Sequence, residues 1–328
     1  MKKQTVKLED VAAAAGVSKT TVSRVLNNRG YLSQTTIKKV HQAMAELHYR
    51  PNVIARQLYQ QRTNLVGLVF PTVDNPFFAQ LEAQLDRELY RRGYRVLMGN
   101  SQNNPQREEA YLRQLLNGQV DGLIVGAHNE GIEQYRDTTL PIVSIERWVS
   151  KDIPVVAADN YAGGILATER LLAAGCQHII HTNYPHDLPS PNLERRRAYE
   201  ELMRKYHRPA VTYEVNFDSS VEEKLVIFNQ LFDKHPEVDG IFADNDTNAS
   251  LIMRVARERG RQIPRDLRVV GFDGANMTRT LLPELTTIRQ PIDQMASTAV
   301  ELLQKRITGK KTVGTVQLPV KLIAGTTA

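Results

Sequence analysis

The sequence predicts an α/β protein with an all-α head: an N-terminal helix-turn-helix domain and a hinge helix, followed by a two-lobed, Rossmann-like body. Three observations predict it. Leu8 to Asn27, LEDVAAAAGVSKTTVSRVLN, reads as two short helices about a tight turn at Gly16. Residues 1–62 hold eleven Lys or Arg against three Asp or Glu, a net of +8, whereas the remaining 266 hold 31 against 33, a net of −2. From Leu65 onward, apolar runs alternate with amphipathic stretches in two successive series, the pattern of parallel sheets with helical crossovers. A compact basic head on a near-neutral body is the electrostatic footprint of a DNA-binding module joined to something that does not bind DNA.

In the head, Val11, Ala12 and Ala15 form the inward side of the first helix, with Leu8 one turn earlier. Gly16 supplies the positive φ of a sharp inter-helix turn, Val17 plugs that turn, and Ser18 caps the second helix. Val22, Val25 and Leu26 recur at the spacing of one buried face. Lys19, Thr20, Ser23, Arg24 and Asn27 are left outward, where they can donate to phosphates and base edges. Ser18, Thr21 and Tyr31 join them as candidate DNA contacts. Lys7 stands at the first helix's cap position, where Ser or Thr would cap better. Ser33 caps a third helix, Gln34 to His48, with Ile37, Val40, Met44 and Leu47 inward. A bundle whose polar face is merely solvated is the alternative. The turn, the +8 charge and the terminal position weigh against it.

Pro51 ends the third helix, and Asn52 can cap a short helix running to about Tyr59. Alone, such a helix is too short to hold, and its apolar Val53, Ile54 and Leu58 call for a partner chain, DNA or both. Asn52, Ala55, Arg56 and Leu58 are its candidate DNA contacts. The domain limits expected are 1–50 for the helix-turn-helix, 51–62 for hinge and linker, and 63–328 for the body. Within the body, one lobe takes about 63–161 and 291–322, the other about 162–290.

Composition narrows the function further. Hydrophobic residues make up 41% and charged residues 24%, ordinary for a soluble protein. The single cysteine, Cys176, fits a reducing cytoplasm. There is no apolar run behind the basic N-terminus to make a signal peptide, and no stretch long enough to span a bilayer. Neither a Walker loop, G-x-S-x-G, H-E-x-x-H nor paired cysteines occurs, so the expectation is a non-enzyme with no metal and no cofactor.

The body's first series runs through Leu65–Phe70, a helix Phe77–Arg92, Arg95–Met98, a helix from about Gln106 to Asn117, Val120–Val125, Leu140–Ile145 and Val155–Ala158. The second runs through a helix Ala162–Ala174, His178–Thr182, a helix Glu194–Tyr206, Tyr213–Val215, a helix to Lys234, Gly240–Ala243, a helix to Arg259 and Arg268–Phe272. Ligands of such folds bind at the carboxyl ends of strands. There the sequence places Asp74-Asn75-Pro76-Phe77-Phe78, Asn100-Ser101-Gln102, His128, Glu146-Arg147-Trp148 and Asp159-Asn160, then Phe217, Asp244-Asn245-Asp246 and Asp273. Arg195 opens the helix RRRAY. Any one of these could be a plain loop residue. Together, carboxylates, amides, an arginine and flat rings at one edge favour a small polar ligand such as a sugar.

D-V-A-x-x-A-G-V-S-x-x-T-V-S-R-V-L-N (Asp10 to Asn27) and Y-R-P-N-x-x-A-R-x-L (Tyr49 to Leu58) closely resemble the lactose-repressor (LacI) family of bacterial transcription regulators, and the likeness continues through the body. The resemblance implies a periplasmic-binding-protein-like effector domain below the DNA-binding head. It implies that Lys19, Thr20 and Arg24 read bases, and that two chains place their recognition helices in neighbouring major grooves of a near-palindromic operator. Leu58 matches the wedge that kinks the duplex at the minor groove, with Ala55 permitting close approach. Phe77, Phe78, Glu146, Arg195, Phe217, Asn245 and Asp273 match effector-contact positions. Asn100, His128, Arg147, Asp159 and Gln290 complete the candidate set. Asn100–Pro105, Asp121-Gly122, Thr286–Pro291 and Asn129–Ile132 are most similar to the sucrose-operon branch of the family in Gram-positive bacteria, with the last segment the most discriminating. That implies sucrose, fructose or a phosphorylated relative as effector. Another sugar, a nucleobase or a protein corepressor is the alternative. The chain's last residues, IAGTTA, carry no heptads of the kind that make tetramers, so a cytoplasmic homodimer is expected.

Overall fold

The computed structural model describes residues 6–27, 29–50, 62–102, 104–126, 129, 132–136, 139–185 and 190–328. The chain divides into two compact units, Met1–Thr63 and Asn64–Ala328. The expected hinge helix, with Asn52, Ala55, Arg56 and Leu58, lies outside the described residues, as does His128.

The first unit holds α1 (Leu8–Ala15), α2 (Lys19–Leu26) and α3 (Gln34–Glu46). Val11, Val22, Val25 and Val40 are buried together in its small core, with Ile37, Met44 and Leu47 packed against it. Lys7 offers no side-chain cap, and the sequence compensates from the other side of the box. The Lys7 backbone N–H donates to the Asp10 carboxylate at 2.7 Å, and an acidic residue in the first turn also suits the helix dipole. Gly16 takes φ +65°, and the Gly16 and Val17 N–H groups turn back to the Ala13 and Ala12 carbonyls, closing α1 in a left-handed cap. Ser18 and Ser33 accept from the Thr21 and Thr36 N–H groups at 3.1 and 3.2 Å. α3 ends two residues earlier than its sequence suggests, because Leu47 is the cap and His48 takes φ +48°.

The second unit contains two six-stranded sheets. The first, in the order β11-β5-β4-β3-β1-β2, is wholly parallel. Its strands are β1 (Leu65–Phe70), β2 (Arg95–Asn100), β3 (Gly122–Val125), β4 (Ile142–Ile145), β5 (Val155–Ala158) and β11 (Thr315–Leu318). β1, β3, β4 and β5 are apolar along almost their whole length because helices cover both faces. The helices α4 (Pro76–Arg91), α5 (Pro105–Leu116) and α11 (Ile292–Ile307) provide that cover. The second sheet, β12-β10-β9-β8-β6-β7, is parallel except for β12. It comprises β6 (Ile179–Asn183), β7 (Val211–Glu214), β8 (Gly240–Phe242), β9 (Arg268–Asp273), β10 (Thr286–Arg289) and β12 (Lys321–Ile323). The helices α6 (Asn160–Ala173), α7 (Leu193–Lys205), α8 (Val221–Lys234) and α9 (Asp246–Glu258) pack about it, and the short α10 spans Asn276–Leu281.

The chain crosses between lobes three times, after β5, after β10 and between β11 and β12. The last crossing falls at residues 319–320, so Lys321 and Leu322, expected in the first lobe, belong to the second. Leu322 opposes Ile288 in an antiparallel ladder, and the Thr327 hydroxyl donates to the Val269 carbonyl at 2.7 Å. In each sheet the strand order reverses beside the earliest strand, at β1/β3 and at β6/β8. Loops at the carboxyl ends there open a crevice, and the two crevices face one cleft.

Glu82, on the apolar side of α4, is 3% exposed, and one of its carboxylate oxygens has no hydrogen-bond partner among the described residues. Burial pushes its pKa up to about 7. The folded state therefore binds this proton more tightly than the unfolded chain. The cost of ionising it is absent below about pH 4.5, grows as pH rises toward 7, and is complete above. Glu82→Gln is expected to raise stability by about 1–2 kcal/mol at pH 8 and by little at pH 4.5, read from urea unfolding at the two pH values. An equal effect at both would contradict this account.

Candidate functional site

On the head, α2 presents Lys19, Thr20 and Arg24 to solvent. Ser23 and Asn27 are half-buried, and the Asn27 amide donates to the Ser23 carbonyl at 2.8 Å. Ser18 and Thr21 share a 2.8 Å hydroxyl contact at the helix start, so both organise the N-terminus of α2 as well as border its outer face. Tyr31 is fully exposed. The Lys19 ammonium is held by the exposed Glu9 carboxylate of α1. That solvent-screened pair is weak and can be exchanged for a phosphate or a base edge.

In the cleft, a cavity of about 40 Å³ lies between the lobes. Its first-lobe wall comes from the β1–α4 connection. Asn75 caps α4 by accepting from the Phe77 N–H at 2.9 Å, and Pro76 opens the helix. This sets Phe77 and Phe78 on the cavity side. The second lobe brings Phe217 edge-on to Phe78, 5.7 Å between centroids, and Tyr184 6.0 Å from Phe217. Four rings thus supply flat apolar walls of the kind that receive C–H faces.

The polar wall centres on Arg195, 4% exposed, at the start of α7. Its place depends on Gly163-Gly164 in α6. A Cβ on Gly164 would stand 2.7 Å from the Arg195 carbonyl oxygen, and one on Gly163 2.6 Å from the Phe272 ring. Without side chains there, α6 approaches α7 closely, and the Arg195 guanidinium lies 3.4 Å over the Phe272 ring. Arg195 donates to the Asn160 amide oxygen at 2.7 Å and to the Asp244 carbonyl at 2.6 Å. Asn160 in turn donates to Glu146 at 2.9 Å, and the Ala158 N–H donates to the other oxygen of the same carboxylate at 2.5 Å.

Asp273 accepts from the Gln290 amide at 2.7 Å. Behind it, Asp246 accepts from the Gly274 N–H at 2.8 Å and from the Thr287 hydroxyl at 2.5 Å. Burial raises the pKa of both aspartates, and the Asp246 carboxylate further disfavours ionisation of Asp273, while Arg195 favours ionisation of both. Burial likewise raises the pKa of Glu146 and Asp244 against the pull of Arg195. Glu146 and Asp273 also take φ +53° and +117°, conformations that side-chain-bearing residues adopt only when the surroundings over-determine them. The result is a preorganised set of acceptors and donors beside aromatic rings, able to hold a hydroxyl-rich ligand from both lobes. Among the described residues, no group of His, Cys, Asp and Glu is placed to hold a metal ion, and no helix is long and apolar enough to cross a membrane.

Of the sequence-predicted residues, the structure brings Phe77, Phe78, Glu146, Arg195, Phe217, Asp273 and Gln290 to this cavity. Asn245 lies at an adjoining cavity, where it caps α9 by accepting from the Asn248 N–H at 2.8 Å. Asn100, Arg147 and Asp159 line neither. Arg147 is turned into the first lobe, pairing with buried Glu108 at 2.7 Å. Glu108 also accepts from Asn129 at 2.6 Å and from the Tyr135 hydroxyl. Asp159 is the cap of α6, accepting from the Ala162 N–H at 3.0 Å. Tyr184, Ser190 and Asn192 also line the cavity, the last two from the proline-rich stretch Pro185 to Leu193 that the sequence places ahead of Arg195. Tyr184 stands just before that stretch, after β6, where only the strand-end rule could have pointed to it.

The model of the lacI family of bacterial regulatory proteins matches residues 7–52, and a periplasmic binding protein-like domain matches residues 168–328. The sucrose operon repressor of Pediococcus pentosaceus is 43% identical over 325 residues, covering 98% of this chain and 99% of its own. The lac repressor dimer bound to operator and the anti-inducer ONPF superposes with a TM-score of 0.85 at 27% identity, covering 99% of each chain. A complex of the transcriptional regulator CelR with cellobiose superposes with a TM-score of 0.71 at 28% identity, covering 98% of this chain and 100% of the other.

Proposed function

This chain belongs to the lacI family of bacterial regulatory proteins, and we propose that it is a sequence-specific DNA-binding repressor of a sugar-utilisation operon, controlled by a small sugar bound between its lobes. The observation that carries the reading is the cleft itself. Arg195, Glu146, Asp273 and Gln290 converge on aromatic walls beyond the carboxyl ends of strands from both sheets, in a chain headed by a basic helix-turn-helix. Similarity along almost the whole chain to a sucrose operon repressor, at 43% identity, supports sucrose, fructose or a phosphorylated relative as the effector class, and the likeness to a cellobiose-bound regulator supports a sugar in the cleft. The work is binding, not catalysis.

Lys19, Thr20 and Arg24 read the operator, the protein acts in the cytoplasm as a homodimer on a near-palindromic site, and the hinge residues Ala55 and Leu58 engage its centre. A sugar that binds both lobes favours one inter-lobe angle over another. It can shift operator affinity only by its differential affinity for the two states, and the direction favoured here is release. The test is fluorescence anisotropy of the full chain on DNA from its own promoter region, titrated with sucrose, fructose and their phosphates at fixed salt. Release by one of them is the expected result. Tight binding indifferent to all of them would reject the sugar control while leaving the DNA-binding claim standing.

A further inference from the structure

Three acidic residues stand among the 62 residues of the head and hinge, and two of them are taken up in helix architecture. Asp10 accepts from the Lys7 backbone N–H at 2.7 Å, and Glu46 accepts from the Gln42 amide one turn earlier in α3 at 2.9 Å. Glu9 is the third. It stands in the first turn of α1, yet its carboxylate leaves that helix and pairs with the ammonium of Lys19, the first residue of α2. The side chains of Lys19 and Glu9 are 61% and 55% exposed, so the pair is no part of the core. The hydrogen bond from Lys19 holds the Glu9 carboxyl below its ordinary pKa, and it is an anion at neutral pH. The dipole of α1 gains from such a charge, but Asp10 already supplies one in the same turn. A second carboxylate, turned toward the helix that meets DNA on a head of net charge +8, calls for another reason.

In a helix-turn-helix the first residues of the second helix meet base edges, while the first helix crosses the phosphate backbone. A carboxylate at that junction separates two kinds of contact. An ammonium has three donors. With one of them on Glu9, Lys19 keeps two for the O6 and N7 of a guanine, and the pair survives. To neutralise a phosphate, Lys19 has to leave Glu9, and the freed carboxylate then faces the backbone charge, which is unfavourable. We infer that Glu9 is a specificity-determining residue of the head, holding Lys19 for a guanine edge and keeping it from phosphates. This rests on the reading of Lys19 as a base-reading residue. Glu9 touches no base itself and acts as a positioning residue through Lys19.

The experiment is fluorescence anisotropy of the full-length protein on three kinds of DNA, each at several salt concentrations. They are the duplex from its own promoter region, copies of it with single base pairs substituted, and a mixed-sequence duplex of equal length. The parent is compared with Glu9→Gln, Lys19→Ala and the double variant. Both side chains are exposed, so the head's core is untouched. Glu9→Gln is expected to bind the mixed-sequence duplex about threefold tighter per head, or about tenfold for a dimer. Its log–log salt slope there is expected to steepen by about 1–2. At the G·C pair where Lys19→Ala relaxes discrimination, Glu9→Gln is expected to relax it by about fivefold or more, and to add nothing once Lys19 is gone. Parental discrimination and salt slope in Glu9→Gln would overturn the inference, and so would an equal loss of affinity on every duplex, which marks Glu9 as a support of α1 alone. If Lys19→Ala itself leaves all the affinities unchanged, the reading of Lys19 fails and the inference falls with it.

Discussion

Arg195→Ala is expected to weaken sugar binding by about 100-fold or more while leaving operator affinity in the absence of sugar near that of the parent. The reason is the number of groups that depend on one guanidinium. It is the donor to Asn160 and to the Asp244 carbonyl, and Asn160 is what orients Glu146. It is also the cation that favours ionisation of Glu146, Asp244, Asp246 and Asp273. Removing it costs a charge-assisted donor and leaves buried acceptors unpaired, on the order of 2–4 kcal/mol. The carboxylates then hold their protons to still higher pH, so any residual binding should become more pH-dependent. Arg195→Lys restores the charge but neither the planar fork nor the stacking on Phe272, and should recover only part of the loss. In cells the variant is expected to repress without responding to sugar. Calorimetry decides the matter: parental affinity in Arg195→Ala would remove the cleft from the account.

Arg24→Ala should do the reverse. The side chain is exposed on the outer face of α2, and the head's core is formed by Val11, Val22, Val25 and Val40, so the head keeps its fold. A base-edge contact of this kind is worth about 1–3 kcal/mol. A dimer loses it at both half-sites, for a fall of roughly 100-fold or more in operator affinity with sugar affinity unchanged. If Arg24 reads a base, discrimination against a substituted base pair at one position of each half-site relaxes. If it serves only a phosphate, affinity falls evenly across sequences and the salt dependence shallows. An anisotropy series over substituted operators at two salt concentrations separates these, and unchanged operator affinity would contradict the assignment of α2.

The head was legible almost to the residue. Its determinants are local: a glycine that must turn, two serines that cap, and a valine spacing that fixes which face is buried. Even there, Lys7 misled slightly, because the box is closed by Asp10 reaching back to the backbone rather than by the cap residue's own side chain. The body was legible as far as Asp273, since buried parallel strands announce themselves as apolar runs. Beyond that point α10, β10, α11, β11 and β12 were not assigned. β11 is a short, largely exposed edge strand and β12 a short, half-buried one, and the crossing between them is marked only by which sheet each one meets.

In the cleft, the strand-end rule located the right edge but not the direction of each side chain. Arg147 follows Glu146 directly, yet its partner Glu108 comes from a helix 39 residues earlier, and no local signal could reveal that pairing. Asp159 resembles a ligand contact and is a helix cap. Both facts follow from packing that only the fold supplies.

The central claim is that one chain couples two sites, and reciprocity tests it most directly. Sucrose affinity is measured by calorimetry with and without saturating operator duplex, and operator affinity by anisotropy with and without saturating sucrose, in the same buffer and salt. The account predicts that operator weakens sucrose binding by the same factor by which sucrose weakens operator binding, at least about fivefold. Two affinities that are each indifferent to the other ligand would contradict it.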